Sequence, residues 1–380
     1  MKQVCEKYCI DLIRAQMQGK SIPELPKSIA LQALFEFAKK HSVEALVFHG
    51  LEQLDVDEND PVWQNWCNRA QMLLAQSIVQ LADRDTIIEE LTSEGIELLP
   101  IKGSWLKEQY PEIDYRQMSD LDILIRKEDR KRIDGKMREL GYHTDEITTR
   151  SNHVGYIKPP YTEVEMHLTL LPRSDPRHTY YDHVWKKVVA VEGRPYLYRL
   201  RAEDEYIYYI LHLQKHVSDA GTGIRSFLDS VVYRSNYPVM DREYLQKEFE
   251  KLGVREFVQQ VETLADCWFA TGKDVPKDLL SFAKNILADG VYGSEERMIQ
   301  NRLQVFRDKY KNPRLRKMVY FSSRIFLPRV EMEPLYPILE RIPVLLPIFW
   351  IIRLASYCIQ RPKTLLRYIR LARKDEEKND

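Results

Sequence analysis

The feature that most constrains this chain is a change of hydrophobic period between residues 95 and 170. Before it, apolar residues recur at helical spacing. They do so in Ile29-Ala-Leu-Gln-Ala-Leu-Phe-Glu-Phe-Ala and in Met72-Leu-Leu-Ala-Gln-Ser-Ile-Val-Gln-Leu-Ala. Within it, short apolar runs alternate with turn residues: Ile96-Glu-Leu-Leu-Pro-Ile, the pair Gly103-Ser104, then Leu121-Asp-Ile-Leu-Ile. After about residue 203 the helical period returns. Helices around one short stretch of strands predict an α+β fold: a small mixed sheet with N- and C-terminal helical domains on its flanks.

The local signals divide the chain further. Residues 1–95 read as a helical region, with the acidic stretch Asp55 to Asp60 and Pro61 forming a loop. Residues 96–190 read as the sheet-bearing core. There a strand at Leu98 leads into a tight turn at Gly103, with Ser104 as the expected N-cap of a helix. A second strand covers 121–125, a helix runs from Lys127 to Leu140, and Gly141 is its expected C-cap. His153 to Leu170 reads as two strands joined at Pro159-Pro160. Residues 191–320 form a second helical region, and 321–380 are first apolar, then basic.

Composition narrows the function classes. Fifty-seven basic and 57 acidic residues cancel, so no global field draws in nucleic acid or an anionic membrane. The five cysteines are odd in number and scattered, which fits free thiols in a reducing compartment. The N-terminus is amphipathic, carries acids and shows no apolar h-region, so no signal peptide is expected and a cytoplasmic location is.

Strand alternation gathers carboxylates. Asp120 and Asp122 share one face of their strand, while Leu121, Ile123 and Ile125 share the other. Glu163, Glu165 and His167 repeat this pattern in the last strand, opposite Val164, Met166 and Leu168. Acids crowded on one surface repel unless a cation is present. Mg²⁺ or Mn²⁺ suits an all-oxygen set that also takes substrate phosphates. The bland reading is an exposed strand edge decorated with acids, and Asp-x-Asp alone does not exclude it. The Gly103-Ser104 turn, 17 residues before Asp120, adds backbone N–H groups for a phosphate.

Ile101-Lys-Gly-Ser, Arg116-Gln-Met-Ser-Asp-Leu-Asp-Ile-Leu-Ile and Val164-Glu-Met-His together resemble the three motifs of the polymerase-β-like nucleotidyltransferase superfamily. More narrowly, they are similar to those of an uncharacterised bacterial nucleotidyltransferase family, and to toxin nucleotidyltransferases. The resemblance implies a polymerase-β-like catalytic core and an EC 2.7.7-type reaction. In it, a nucleoside monophosphate passes from ATP or another NTP to an acceptor hydroxyl or phosphate. It implies that Asp120, Asp122 and Glu165 bind the metal, and that Gly103 and Ser104 hold the nucleotide phosphates. Lys102 and Arg116 would add phosphate contacts. Ser104 stands where a second Gly is common, and the third acid is Glu rather than Asp.

His212 and His216 lie one helical turn apart, but Leu213 replaces the Glu a zinc-protease helix requires. The resemblance places Lys215, His216, Arg225 and Asp229 on a helical wall over the nucleotide, with Lys215 and Arg225 as phosphate contacts; a packed helix pair is the alternative. His167 is expected to orient Glu165 as a supporting residue, and His153 has no assigned role. The stretch 342–359 holds Pro343, Pro347 and Arg353, which argues against a spanning helix. Arg361 to Lys374 carries six basic residues and no acid, so peripheral contact with anionic lipid is one expectation. Mixed charge around Glu108, Glu112 and Asp114 favours a small or sugar-type acceptor over tRNA or a protein. A catalytically degenerate nucleotide-binding scaffold is the non-enzyme alternative.

Overall fold

The computed structural model describes residues 2–360, apart from 151, 161, 174, 220, 292, 294–309 and scattered positions between 311 and 337. The basic segment Arg361 to Lys374 lies outside the described residues.

Three helices open the chain, α1 (Lys2–Met17), α2 (Leu31–Lys40) and α3 (Glu44–Leu51). Helix α4 (Pro61–Ser93) follows; Pro61 occupies its first turn, and the Asp60 carboxylate accepts from the Val62 N–H at 2.7 Å. Both are strong start signals, because a proline needs no donor there and the carboxylate satisfies an orphan N–H. Its 33 residues give a rod about 50 Å long.

The sheet holds β1 (Leu98–Ile101), β2 (Leu121–Ile125), β3 (His143–Arg150), β4 (His153–Lys158) and β5 (Thr162–His167) in the order β1-β2-β5-β4-β3. The β2–β5 pair is parallel and the other three are antiparallel, so the sheet is mixed. Between β1 and β2 lies the single-turn helix α5 (Gly103–Leu106), and between β2 and β3 lies α6 (Arg130–Glu139). The expected 127–140 helix is therefore a short 3₁₀ turn followed by α6, and Gly141 closes it at φ +86°. The turn at Pro159-Pro160 contains a cis peptide bond. A small ribbon, β6 (Val188–Ala190) with β7 (Tyr198–Leu200), precedes the next helices.

Beyond the sheet come α7 (Ala202–Ser218), α8 (Ile224–Asn236), α9 (Arg242–Lys251), α10 (Arg255–Ala265) and α11 (Leu280–Asp289). They share one core with the first three helices: Leu12, Phe35 and Leu46 belong to the same buried cluster as Tyr206, Phe227 and Trp268. The two helical regions are separate in sequence and joined in space. On the opposite face of the sheet, Leu121, Ile123, Ile125 and Met166 pack against Ile87, Ile88 and Leu91 of α4 and Ile133 and Met137 of α6. Helix α4 thus runs from one core to the other.

Toward the C-terminus, the helix Leu346–Gln360 is 15 residues long. No helix among the described residues is long and apolar enough to cross a membrane.

Candidate active site

Parallel pairing of β2 with β5 sets Asp122 beside Glu165 and Leu124 beside His167. The pleat points Asp122 and Glu165 to the same side, away from the Ile123 and Met166 core. Asp120, just before β2, completes the group: oxygens of Asp120, Asp122 and Glu165 lie within 4.8 Å of one another. The Ser119 hydroxyl donates to Asp120 Oδ1 at 2.9 Å.

Asp122 is held ionised. Burial opposes its charge, but Lys102 Nζ at 2.7 Å and His167 Nε2 at 2.7 Å on the same Oδ1 bring its carboxyl well below the usual range. Asp120 behaves oppositely. Burial, then the Asp122 and Glu165 carboxylates, push it up to about 6 despite Lys102. Glu165 is shifted down, with burial opposing the hydrogen bond from His167 and the charge of His153. Three carboxylates therefore converge beside one bonded ammonium, that of Lys102. The donor set of hard, converging oxygens fits a divalent cation.

The turn before α5 brings the lysine in. Lys102 takes φ +52°, ψ −127°, a conformation rare for a residue with a side chain. Gly103 follows with no room to spare: an added Cβ would meet Arg116 Nη1 at 2.5 Å and Met118 Sδ at 2.9 Å. A cavity of about 550 Å³ opens over these groups, large enough for a nucleotide-sized ligand. Its far wall is α7, which presents Tyr208, His212, Lys215 and His216. His212 and His216 meet Nε2 to Nε2 at 3.1 Å. Desolvation and the nearby lysines lower both, His216 to about 4.

The family model for uncharacterised nucleotidyltransferases matches residues 27–270. The chain belongs to that nucleotidyltransferase family. No curated protein and no solved structure matches it.

The structure of this nucleotidyltransferase brings Lys102, Gly103, Asp120, Asp122, Glu165, His167, Arg116, Lys215 and Arg225 to the wall of one cavity. Three of the residues expected at the phosphates have other partners. Ser104 is fully buried; it is neither the N-cap of α5 nor part of the cavity lining, and its hydroxyl accepts from the Asp122 N–H at 2.7 Å. It fixes the position of the acid rather than facing the ligand. Arg116 is buried in a two-pronged pair with Asp229, Nε to Oδ1 at 2.8 Å and Nη2 to Oδ2 at 3.0 Å, and Tyr110 donates to the same carboxylate at 2.6 Å. That pair ties the 103 turn to α8. Arg225 donates to the Gln117 carbonyl. Lys215 stands exposed at the cavity edge, shifted down by desolvation and by Lys102.

Two groups escaped the sequence reading. His153 sits opposite His167 across β4–β5, with Nε2 at 3.2 Å from Glu165 Oε1. The signal was available: five residues outward from the Lys158–Thr162 pair, backward along β4 and forward along β5, lie His153 and His167. The second is the buried polar middle of α4. Ser77 receives a hydrogen bond from Lys107 at 2.8 Å, Gln80 donates to the Met118 carbonyl at 3.2 Å, and Arg84 donates to the Ser104 carbonyl at 2.8 Å. These residues interrupt an otherwise apolar stripe at helical spacing, and that interruption was their only mark.

Proposed function

We propose that the protein is a metal-dependent nucleotidyltransferase that moves a nucleoside monophosphate from an NTP to a hydroxyl or phosphate of a small-molecule or sugar-type acceptor. The observation that carries this reading is the convergence of Asp120, Asp122 and Glu165 on one point beneath the cavity, next to the Lys102-Gly103 turn. Asp120, Asp122 and Glu165 would hold the divalent ion, Mg²⁺ or Mn²⁺. When bound, that ion neutralises phosphate charge and lowers the pKa of the attacking oxygen.

The chain's own groups do the rest. Lys102 and Lys215 supply cationic N–H donors at opposite walls for the triphosphate. The acceptor oxygen bonds to the α-phosphorus as the α–β phosphate bond breaks. Pyrophosphate leaves, and the acceptor proton passes to Glu165. Catalysis is then mainly positioning and charge compensation. The mixed charge around Glu108, Glu112 and Asp114 supports a small acceptor over a broad RNA surface.

The test offers each of four α-labelled NTPs with Mg²⁺ to a small-metabolite extract, total tRNA and total protein in turn, beside Asp120→Asn/Asp122→Asn. Label transferred to the metabolite pool and lost in the variant supports the proposal. Transfer to tRNA or protein instead overturns the acceptor class. NTP binding without turnover in any pool favours a nucleotide-binding scaffold.

A further inference from the structure

The carboxylates do not stand alone on their surface. His153 and His167, a directly opposed cross-strand pair, aim both Nε2 atoms at the same Glu165. The rings are buried, 7% and 2% exposed, with centroids 5.1 Å apart. His153 Nε2 lies 3.2 Å from Glu165 Oε1 and His167 Nε2 lies 3.4 Å from Oε2. One ligand atom from each of His153, Glu165 and His167 falls within 4.8 Å of the others, a second group that shares Glu165 with the three acids.

These separations have a physical meaning. Metal–nitrogen and metal–oxygen bonds of about 2.1 Å place neighbouring ligand atoms roughly 3.0–3.4 Å apart around an octahedral or tetrahedral ion. The two histidine-to-carboxylate edges, 3.2 Å to Oε1 and 3.4 Å to Oε2, fall at that spacing, and one ligand atom from each of the three side chains lies within 4.8 Å of the others. A pure Mg²⁺ site would have no use for imidazole, because Mg²⁺ is hard and prefers oxygen. Imidazole nitrogen shifts preference toward divalent transition ions.

Resting on the reading of Asp120, Asp122 and Glu165 as a metal centre, we propose that His153 and His167 are metal ligands of that centre. It is then a mixed nitrogen–oxygen site bridged by Glu165, and it selects a divalent transition ion over Mg²⁺. The competing role for the rings is hydrogen bonding alone: His167 Nε2 also contacts Asp122 Oδ1 at 2.7 Å. The two roles differ in whether nitrogen enters the coordination shell.

The experiment uses the full chain, Mn²⁺ alone and no nucleotide. Pulsed electron paramagnetic resonance reads ¹⁴N coupling to bound Mn²⁺. Titration with Mn²⁺ and Mg²⁺ reads their relative affinities. Wild type should show ¹⁴N coupling and bind Mn²⁺ at least about tenfold more tightly than Mg²⁺. His153→Gln and His167→Gln should each weaken the coupling and narrow the gap between the two affinities, with circular dichroism confirming that each variant is folded. Bound Mn²⁺ without ¹⁴N coupling overturns the proposal, as does coupling unchanged in both variants or no Mn²⁺ binding. Because no NTP is present, a nitrogen-coupled ion in a protein that transfers no label would sustain this inference while the proposed activity fell.

Discussion

Removing the Asp229 carboxylate should cost about 3–5 kcal/mol of folding stability, because it strands a buried guanidinium. The Arg116 side chain is 10% exposed and its partner 5%, so water replaces little of what is lost. Asp229 accepts two N–H bonds from Arg116 and one O–H bond from Tyr110, and nothing short of a carboxylate serves all three. Arg116→Met removes the cation and leaves Asp229 with the tyrosine, again an uncompensated buried charge. The double variant Arg116→Met/Asp229→Ala removes both charges and should be less damaging than the sum of the singles by at least about 2 kcal/mol. Urea unfolding of all four proteins, followed by tryptophan fluorescence, gives the cycle. Additivity within about 0.5 kcal/mol would refute the reasoning, since the two side chains would then not be energetically joined. Asp229→Ala should also loosen the Gly103 turn, which packs on Arg116 Nη1, and so weaken NTP binding.

Three further tests probe other parts of the site and core. Gly103→Ala forces a methyl against Arg116 and Met118 and should destabilise by about 1–3 kcal/mol, visible in thermal melting; an unchanged midpoint would contradict the packing. Lys102→Met removes the ammonium that competes for Asp122, so Mn²⁺ affinity measured by calorimetry should rise roughly tenfold or more, and an unaltered affinity would exclude that competition. His41 is buried, its Nδ1 accepts from the Ile224 N–H, and burial lowers it to about 3. The unfolded state therefore binds the extra proton first: stability is full above about pH 6.5 and falls as pH drops toward 3. Urea midpoints at pH 7 and 4.5 should differ more in wild type than in His41→Asn, and equal differences would clear His41 of the effect.

How far the chain could be read without its structure varies by element. The 121–125 and 162–167 strands were legible because short apolar runs carrying acids at alternating positions read as a pleat with two chemically different faces. The same logic put Asp120 with Asp122 on one face and Glu163 with Glu165 on another, and the register places Asp122 and Glu165 side by side. β3 escaped because His143 to Arg150 holds a single apolar residue, Ile147, and so shows no alternation of apolar residues. The partners of Arg116 and Ser104 escaped for another reason. Asp229 lies 113 residues from Arg116, and no local pattern encodes so distant an ion pair.

The sequence alone set the strand faces and the glycine turn, since side-chain alternation and backbone sterics act over a few residues, and the choice of Asp120, Asp122 and Glu165 among the acids came from the family resemblance. Only the tertiary structure decided that the first and last helical regions share a core, that α4 carries buried polar groups to the site loops, and that two histidines join the acids. Those outcomes depend on which surfaces meet and leave water, and that is a property of the packed chain rather than of any segment.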